Sequence, residues 1–365
     1  MEIKTQDSSS LVRTGTLHIY VAFDWGDEIN LDHAGKLVPA EVHDLLRRRR
    51  TPSSIGYRPP PLRFQLDPVK LELPEIGLLQ VAAEATVFDF AAVSVALHAP
   101  FHLSEAQLTN LAGWLADPAP LVQTAQRVLK PLHQRLLAAI QKPIWQDDLS
   151  EEYFVFHLPP PAPPIVDNGQ WVAGLVRLES MPLSREEVAE ALKLHLSYTP
   201  EDLLVLDWAA AVLFDQVCDE TLQIIEFANL QLLEFRHIDN RLERSLAEAY
   251  RSIEPLGRSW FPFLRSYSRP LRALGGLKVE ANGLFERTEN VLKLVGDQYL
   301  ARAYRLLAAR FHLQDWEHDI QRKLEVGEGV YKVLSDQAAT YRTELLEIIV
   351  IILIFVEIIL ALFRH

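Results

Sequence analysis

One cysteine, Cys218, and two methionines stand in 365 residues. A single cysteine excludes an internal disulfide framework and suits a reducing compartment. The glycine motifs that cradle nucleotides are missing: the chain has no GxGxxG and no GxxxxGK followed by Ser or Thr. HExxH and CxxC are missing too, so no zinc or dithiol motif is present. Basic residues are few, 36 against 49 acidic, and a net charge of −13 excludes non-specific nucleic-acid binding by the whole surface. Residues 1–10, Met-Glu-Ile-Lys-Thr-Gln-Asp-Ser-Ser-Ser, carry no apolar signal core and no Arg-rich pattern. They read as a disordered polar leader on a chain that is neither secreted nor imported.

Apolar residues are instead concentrated near the C-terminus. From Ile348 to Phe363 every residue but Glu357 is apolar. Counted from Leu345, the run makes a helix of about 28 Å, close to the ~30 Å of bilayer hydrocarbon. The expectation is one transmembrane anchor over 345–363, with a tail bundled in the core of a soluble oligomer as the alternative. Lys323, Lys332 and Arg342 precede the run, and only Arg364 and His365 follow it. By the positive-inside rule the head stays in the cytoplasm, at a bacterial inner membrane.

Before the anchor the pattern is α+β. Leu17–Phe23 reads as a strand, Leu37–Arg50 as a helix and Leu62–Leu66 as an edge strand after Pro59-Pro60-Pro61. Val81–Leu97 reads as two strands about a turn. Ser104 with Gln107, and Ser184 with Glu187, carry the spacing of helix capping boxes. Trp171–Glu179 reads as a strand. The proline-rich stretch at 159–166 divides an α/β head into residues 11–158 and 167–214. From 215 to 344 apolar residues recur at helical spacing, with Leu222, Ile225, Leu232 and Leu242 in one run and Leu284, Val291, Leu300, Leu307 and Phe311 in the next. That predicts a long antiparallel coiled-coil hairpin, its second helix unbroken from about residue 280 and kinked at Gly327 and Gly329.

The segment Tyr341-Arg342-Thr343-Glu344-Leu345-Leu346-Glu347-Ile348-Ile349, with Glu357 further on, resembles the closing signature of the "required for meiotic nuclear division", or YagE-like, family. Val87-Phe88-Asp89-Phe90-Ala91-Ala92-Val93 is similar to that family's strand-turn-strand element, with alanine at both 91 and 92 where the family usually has glycine at one of them. The likeness covers about residues 200–365. It implies an α/β head, a coiled coil, a transmembrane helix and self-association. Its mitochondrial members are implicated in supporting ribosomes at the inner membrane, and no reaction is implied.

Several residues invite a chemical reading. Cys218 reads as a small core residue rather than a nucleophile, since no histidine lies near it in sequence. His312, Asp315 and Asp319, with Glu317 and His318 beside them, fit a solvated helix face better than a metal site. Arg47–Arg50 are four cations at a helix end, where the macrodipole favours them. The loop 254–278 carries Arg258, Arg265, Arg269, Arg272 and Lys278 with Trp260, Phe261, Phe263 and Tyr267 interleaved. Its Arg258, Trp260, Phe261, Arg265, Arg269 and Arg272 make a candidate partner-binding tip, the alternative being that the aromatics cap the coiled coil and the arginines solvate it. Arg342, Glu344, Glu347 and Glu357 are the candidate oligomer and membrane residues, Glu357 being a carboxyl in hydrocarbon that takes a helix partner, with snorkelling to the interface or proton conduction as the alternatives. No catalytic residue, cofactor or metal is assigned. The reading is a membrane-anchored, self-associating scaffold that recruits a protein or ribonucleoprotein partner. Its alternative is an enzyme or ligand sensor with a cleft in the head.

Overall fold

A computed structural model describes residues 11–38, 41–42, 60–145, 149–163, 165–253, 275–279, 281–283, 285–286 and 298–363. Side chains are described at all of these except 41–42, 165–168, 252–253, 334–335, 337–342, 344 and 361–363. The chain forms two compact units, Met1–Glu234 with Arg287–Gln314, and Phe235–Glu286 with Asp315–His365.

The first unit is built on a nine-stranded mixed sheet. Its strands are β1 (Val12–Asp24), β3 (Glu41–Val42), β4 (Leu62–Leu73), β5 (Gly77–Val87), β6 (Ala92–Ser104), β8 (Ser150–Leu158), β9 (His195–Leu196), β10 (Leu203–Leu206) and β11 (Ala210–Phe214), in the order β3-β4-β5-β6-β1-β8-β11-β10-β9. A separate two-stranded ladder pairs β2 (Glu28–Ile29), which leads into α1 (Leu31–Leu37), with β7 (Ile140–Gln141). The large sheet is antiparallel except where β8 runs parallel to β11. A parallel pair needs a crossover. Residues 159–163, α4 (Ile165–Arg177) and α5 (Arg185–Ala191) supply it, so strands on both sides of the proline-rich stretch belong to one sheet.

Alternation along β1 gives the sheet two different faces. Leu17, Ile19, Val21 and Phe23 enter the main hydrophobic cluster with α2 (Glu105–Leu115), α3 (Ala119–Leu136) and α4, through Leu108, Leu111, Leu129 and Leu175. His18, Tyr20, Ala22 and Asp24 point the other way, and they are buried as well. The first half of α6 (Asp219–Ile253) covers that second face, where the Asn229 side-chain amide donates to the Glu151 carbonyl at 3.0 Å. The helix α7 (Gln298–Arg310) covers it too, with Tyr304 stacked on Phe227. β1 and β8 approach so closely at Gly15 that a Cβ there would lie well inside contact with the His157 carbonyl oxygen.

Local signals in the sequence hold where they are chemical. Ser104 and Gln107 form a complete capping box at α2, and the Ser184 hydroxyl accepts from the Glu187 backbone N–H. The turn between β5 and β6 places Ala91 at φ 65°, the left-handed region that favours glycine. Backbone bonds hold it there: the Ala91 N–H donates to Phe88 O, and the Ala91 carbonyl accepts from the Trp25 N–H.

Other expectations are corrected. Trp171–Glu179 is not a strand but the C-terminal part of α4 and the turn after it. An apolar run buried on all sides shows neither period, and Gly174 lets the helix approach Thr109 and the Glu179 carbonyl. Within the expected helix Leu37–Arg50, Glu41 and Val42 are extended and pair with β4, and residues 43–50, which hold Arg47–Arg50, lie outside the described residues.

No long coiled-coil hairpin is found among the described residues. The first half of α6 buries Ile224, Ile225, Phe227, Ala228, Leu230, Leu232 and Leu233, more than one stripe of its surface. A helix laid on a sheet under a second helix does this, whereas a two-stranded coil buries only its seam. The expected second helix is interrupted: α7 ends at Arg310, His312 adopts φ 52°, and α8 (Leu313–Phe363) then begins. α8 continues through Gly327 and Gly329 as one helix. In the second unit the Lys323 ammonium donates to Asp239 at 2.6 Å and Glu243 at 2.7 Å, joining α8 to the second half of α6.

The transmembrane anchor is corrected too. Among the described residues no helix is long and apolar enough to cross a membrane. Glu357 interrupts the apolar run, and a carboxyl within hydrocarbon is costly. The single-pass localisation and the anchor role of residues 345–363 fall with that finding.

Candidate ligand-binding site

The second face of the sheet carries polar side chains in register. Pairing sets His18 of β1 beside His98 of β6, Glu84 of β5 beside Ala96 of β6, and Gln65 of β4 beside Glu84. Tyr20 lies in the row of Ala96, Glu84 and Gln65, and Arg63 lies one row further on, all on the same face. Asp219, Leu222, Gln223 and Glu226 of α6 face these strands across a hollow of about 500 Å³.

The charges in the hollow are coupled. Arg63 pairs with Glu84 at 3.2 Å and, more loosely, with Glu226 at 3.8 Å, while the Gln65 amide donates to Glu84 at 2.8 Å. Burial pushes the Glu226 carboxyl above its ordinary pKa, against the pull of Arg63 and of the Ser94 and Thr86 hydroxyls. The Tyr20 hydroxyl is pushed well up by burial and by the nearby Glu226.

His18 and His98 share a hydrogen bond, Nδ1 to Nδ1, at 2.8 Å. Burial, and then His98 and His157, lower the pKa of His18 to about 3. His98 is lowered by burial and Arg63, against Glu84. Both rings are therefore neutral at pH 7. In a neutral pair bonded this way one Nε2 carries a proton and the other does not, so the pair presents one donor and one acceptor.

His157 also joins the cluster. Its Nε2 lies 2.9 Å from the Asp215 carbonyl oxygen and must donate there, which leaves Nδ1 to accept from the Cys218 thiol at 3.6 Å. The structure thus gives Cys218 the histidine that sequence proximity did not. The thiol is nonetheless held protonated, since burial and the neighbouring Asp219 and Asp215 raise its pKa to about 11. A thiol in that state is a poor nucleophile at neutral pH.

Four lining residues keep buried polar atoms without a hydrogen-bond partner: His18 Nε2, Arg63 Nε, Gln223 Oε1 and Glu226 Oε1. Folded proteins satisfy most such atoms. Together they mark an unfinished polar surface rather than a packed core.

Most residues singled out from sequence lie elsewhere. Arg258, Trp260, Phe261, Arg265, Arg269 and Arg272 are outside the described residues, and so are Phe263 and Tyr267. Arg342 and Glu344 lie on α8 with side chains that are not described, while Glu347 and Glu357 are exposed on it. Asp319 pairs with Arg322 at 3.0 Å, and His312 occupies the break before α8. Among the described residues no group of three His, Cys, Asp or Glu side chains is placed to hold a metal. Sequence reading passed over His18, Tyr20, Arg63, Gln65, Glu84, His98, Gln223 and Glu226. The available signal was the polar member of each apolar–polar alternation in strands long enough to be central.

Comparison with known proteins gives a family. A family model described as "Uncharacterized protein MJ0711, N-terminal domain" matches residues 14–220. The "Uncharacterized protein MJ0711" of Methanocaldococcus jannaschii is 30% identical over 201 residues, 54% of this chain and 61% of that protein. The chain thus spans less than two thirds of that relative's length. No solved structure matches. The matched span contains every strand of the pocket but stops before Gln223 and Glu226. Nothing in these matches concerns the YagE-like family, whose likeness was read over residues 200–365.

Proposed function

This chain belongs to the MJ0711 N-terminal-domain family, and on that premise we propose that its sheet unit binds a small polar ligand in the hollow beneath α6. The observation that carries this reading is the set of four buried polar atoms, on His18, Arg63, Gln223 and Glu226, that lack partners around about 500 Å³ of space. The volume falls within the range usual for small-ligand sites. Binding is favoured over proton-transfer catalysis, because a histidine with pKa about 3 accepts protons poorly at neutral pH.

The test is a thermal-shift screen of the full chain against small amines, amino acids, nucleosides and sugars. At a hundred times its dissociation constant a true ligand adds about 2.7 kcal/mol, read as a rise of several degrees. Ala96→Phe, which directs a ring into the hollow, is expected to abolish that rise. A shift of the same size in Ala96→Phe places the binding elsewhere, and no shift with any compound removes the reading.

A self-associating scaffold remains a second proposal, favoured by one observation. Large apolar side chains from Leu346 to Leu360 are exposed on α8, among them Ile351 at 64% and Leu353 at 62%. A helix apolar on all sides needs cover on more than one face, which several copies of the same helix provide. Light scattering on the full chain is expected to give a multiple of 41.5 kDa. Ile351→Glu with Ile354→Glu should reduce it, and a monomer in the parent chain refutes the proposal. Recruitment of a protein or ribonucleoprotein by the basic segment 254–278 belongs to the same reading.

A further inference from the structure

We propose that the ligand of this pocket is a small organic cation, an amine or guanidinium, seated against Gln223 and Glu226 of α6. The inference rests on the ligand-binding reading above and adds the charge class.

Carboxylates set the sign of the hollow. Glu84, Asp219 and Glu226 line it against one cation, Arg63, whose charge is already divided between Glu84 at 3.2 Å and Glu226 at 3.8 Å. The neutral pair His18 and His98 adds no charge. An anion would therefore enter against net repulsion, with the one guanidinium already engaged. Two of the four unpartnered atoms are acceptor oxygens, Gln223 Oε1 and Glu226 Oε1, from residues three apart on one helix face. Such a pair of acceptors calls for N–H donors, and a cation supplies donors and charge together. Glu226 is 5% exposed, and beyond the Ser94 and Thr86 hydroxyls its carboxylate has only a loose ionic partner, so its charge is costly to bury. A bound cation removes that cost.

Proton and cation then compete for Glu226. The groups that face it are Tyr20 of β1, Arg63 of β4, Glu84 and Thr86 of β5, and Ser94 of β6. Of these Arg63 is the only cation, so it is the internal competitor of the ligand.

Calorimetric titration of the full chain with agmatine, which carries a guanidinium and an ammonium, tests the assignment. Its counterpart is glutarate, of similar length but with a carboxylate at each end and no cationic group. Agmatine is expected to bind at least tenfold more tightly, and Glu226→Gln to weaken it at least tenfold. Arg63→Met, which removes the competing cation, is expected to tighten agmatine several-fold. A merely structural role for Arg63 would not produce that gain, and it keeps the test decisive if Glu226→Gln fails to fold. Equal binding of the two probes, or agmatine binding indifferent to both substitutions, overturns the proposal. If a neutral nucleoside or sugar binds and agmatine does not, the pocket stands and its charge class falls. If no compound binds, both fall.

Discussion

Truncating Asp207 to alanine is expected to lower the stability of the sheet unit by about 3 kcal/mol or more, the usual cost of orphaning a buried ion pair. Asp207 lies in the turn between β10 and β11 and is 1% exposed. Its carboxylate meets Arg310 of α7, whose Nε donates at 2.7 Å, and Arg177 of α4 at 3.1 Å. It also accepts the Trp208 backbone N–H at 2.6 Å. One carboxylate thus ties two helices to the sheet, and its removal leaves two guanidinium groups facing each other. Both arginines are about a fifth to a quarter exposed, so partial hydration keeps the loss near the lower end of the 3–5 kcal/mol range. Arg310→Ala is expected to cost less, about 1.5–3 kcal/mol, because Arg177 still neutralises the carboxylate. Urea denaturation measures each, and a double-mutant cycle gives the coupling. A loss under 1 kcal/mol for Asp207→Ala would mean that the knot contributes geometry and little energy.

Acid is the second large perturbation. His18 and His98 have folded-state pKa values depressed by burial, His18 to about 3 from 6.5. Between those values the unfolded chain takes a proton that the native ring refuses, so stability falls as pH falls from about 6.5. Each such group contributes a slope of up to about 1.4 kcal/mol per pH unit. Glu226 works in the opposite sense. Its folded pKa is raised by burial, so its contribution is present below the unfolded value of 4.5 and is lost as pH rises through the folded one. The groups facing the histidine pair are His157 on β8, Glu84 on β5 and Arg63 on β4. Denaturation at pH 7.5, 6 and 5 should show His18→Gln with His98→Gln losing on the order of 2 kcal/mol less than the parent chain across that window. Parallel pH profiles for variant and parent would show that the pair takes up protons as readily folded as unfolded.

Much of the strand architecture was legible because strand and turn chemistry is local. The alternation Leu17-His18-Ile19-Tyr20-Val21 and the capping box at Ser104 and Gln107 both depend on neighbours within a few residues. The helices misled for a related reason. Apolar spacing from Leu222 onward reports that a face is buried and does not report against what. The partner of α6 is a sheet whose strands begin two hundred residues earlier. The expected strand Trp171–Glu179 failed because burial of every residue from Trp171 to Val176 removes the period that separates helix from strand.

The candidate site was illegible for a different reason. Its residues come from β1, β4, β5, β6 and α6, and each alone is an ordinary polar residue in an amphipathic segment. Cys218 shows this most plainly, because its partner His157 lies 61 residues away and meets it only where β8 runs beneath the start of α6. By itself the sequence determined composition, charge, the strands β1, β4, β5 and β6 in outline, and the caps, since these follow from residue chemistry and near-neighbour sterics. Tertiary structure alone decided that α6 lies on a sheet, that four polar atoms are left unpartnered beneath it, and that the second long helix breaks at His312. Those outcomes depend on which distant surfaces meet, and no local pattern encodes that choice.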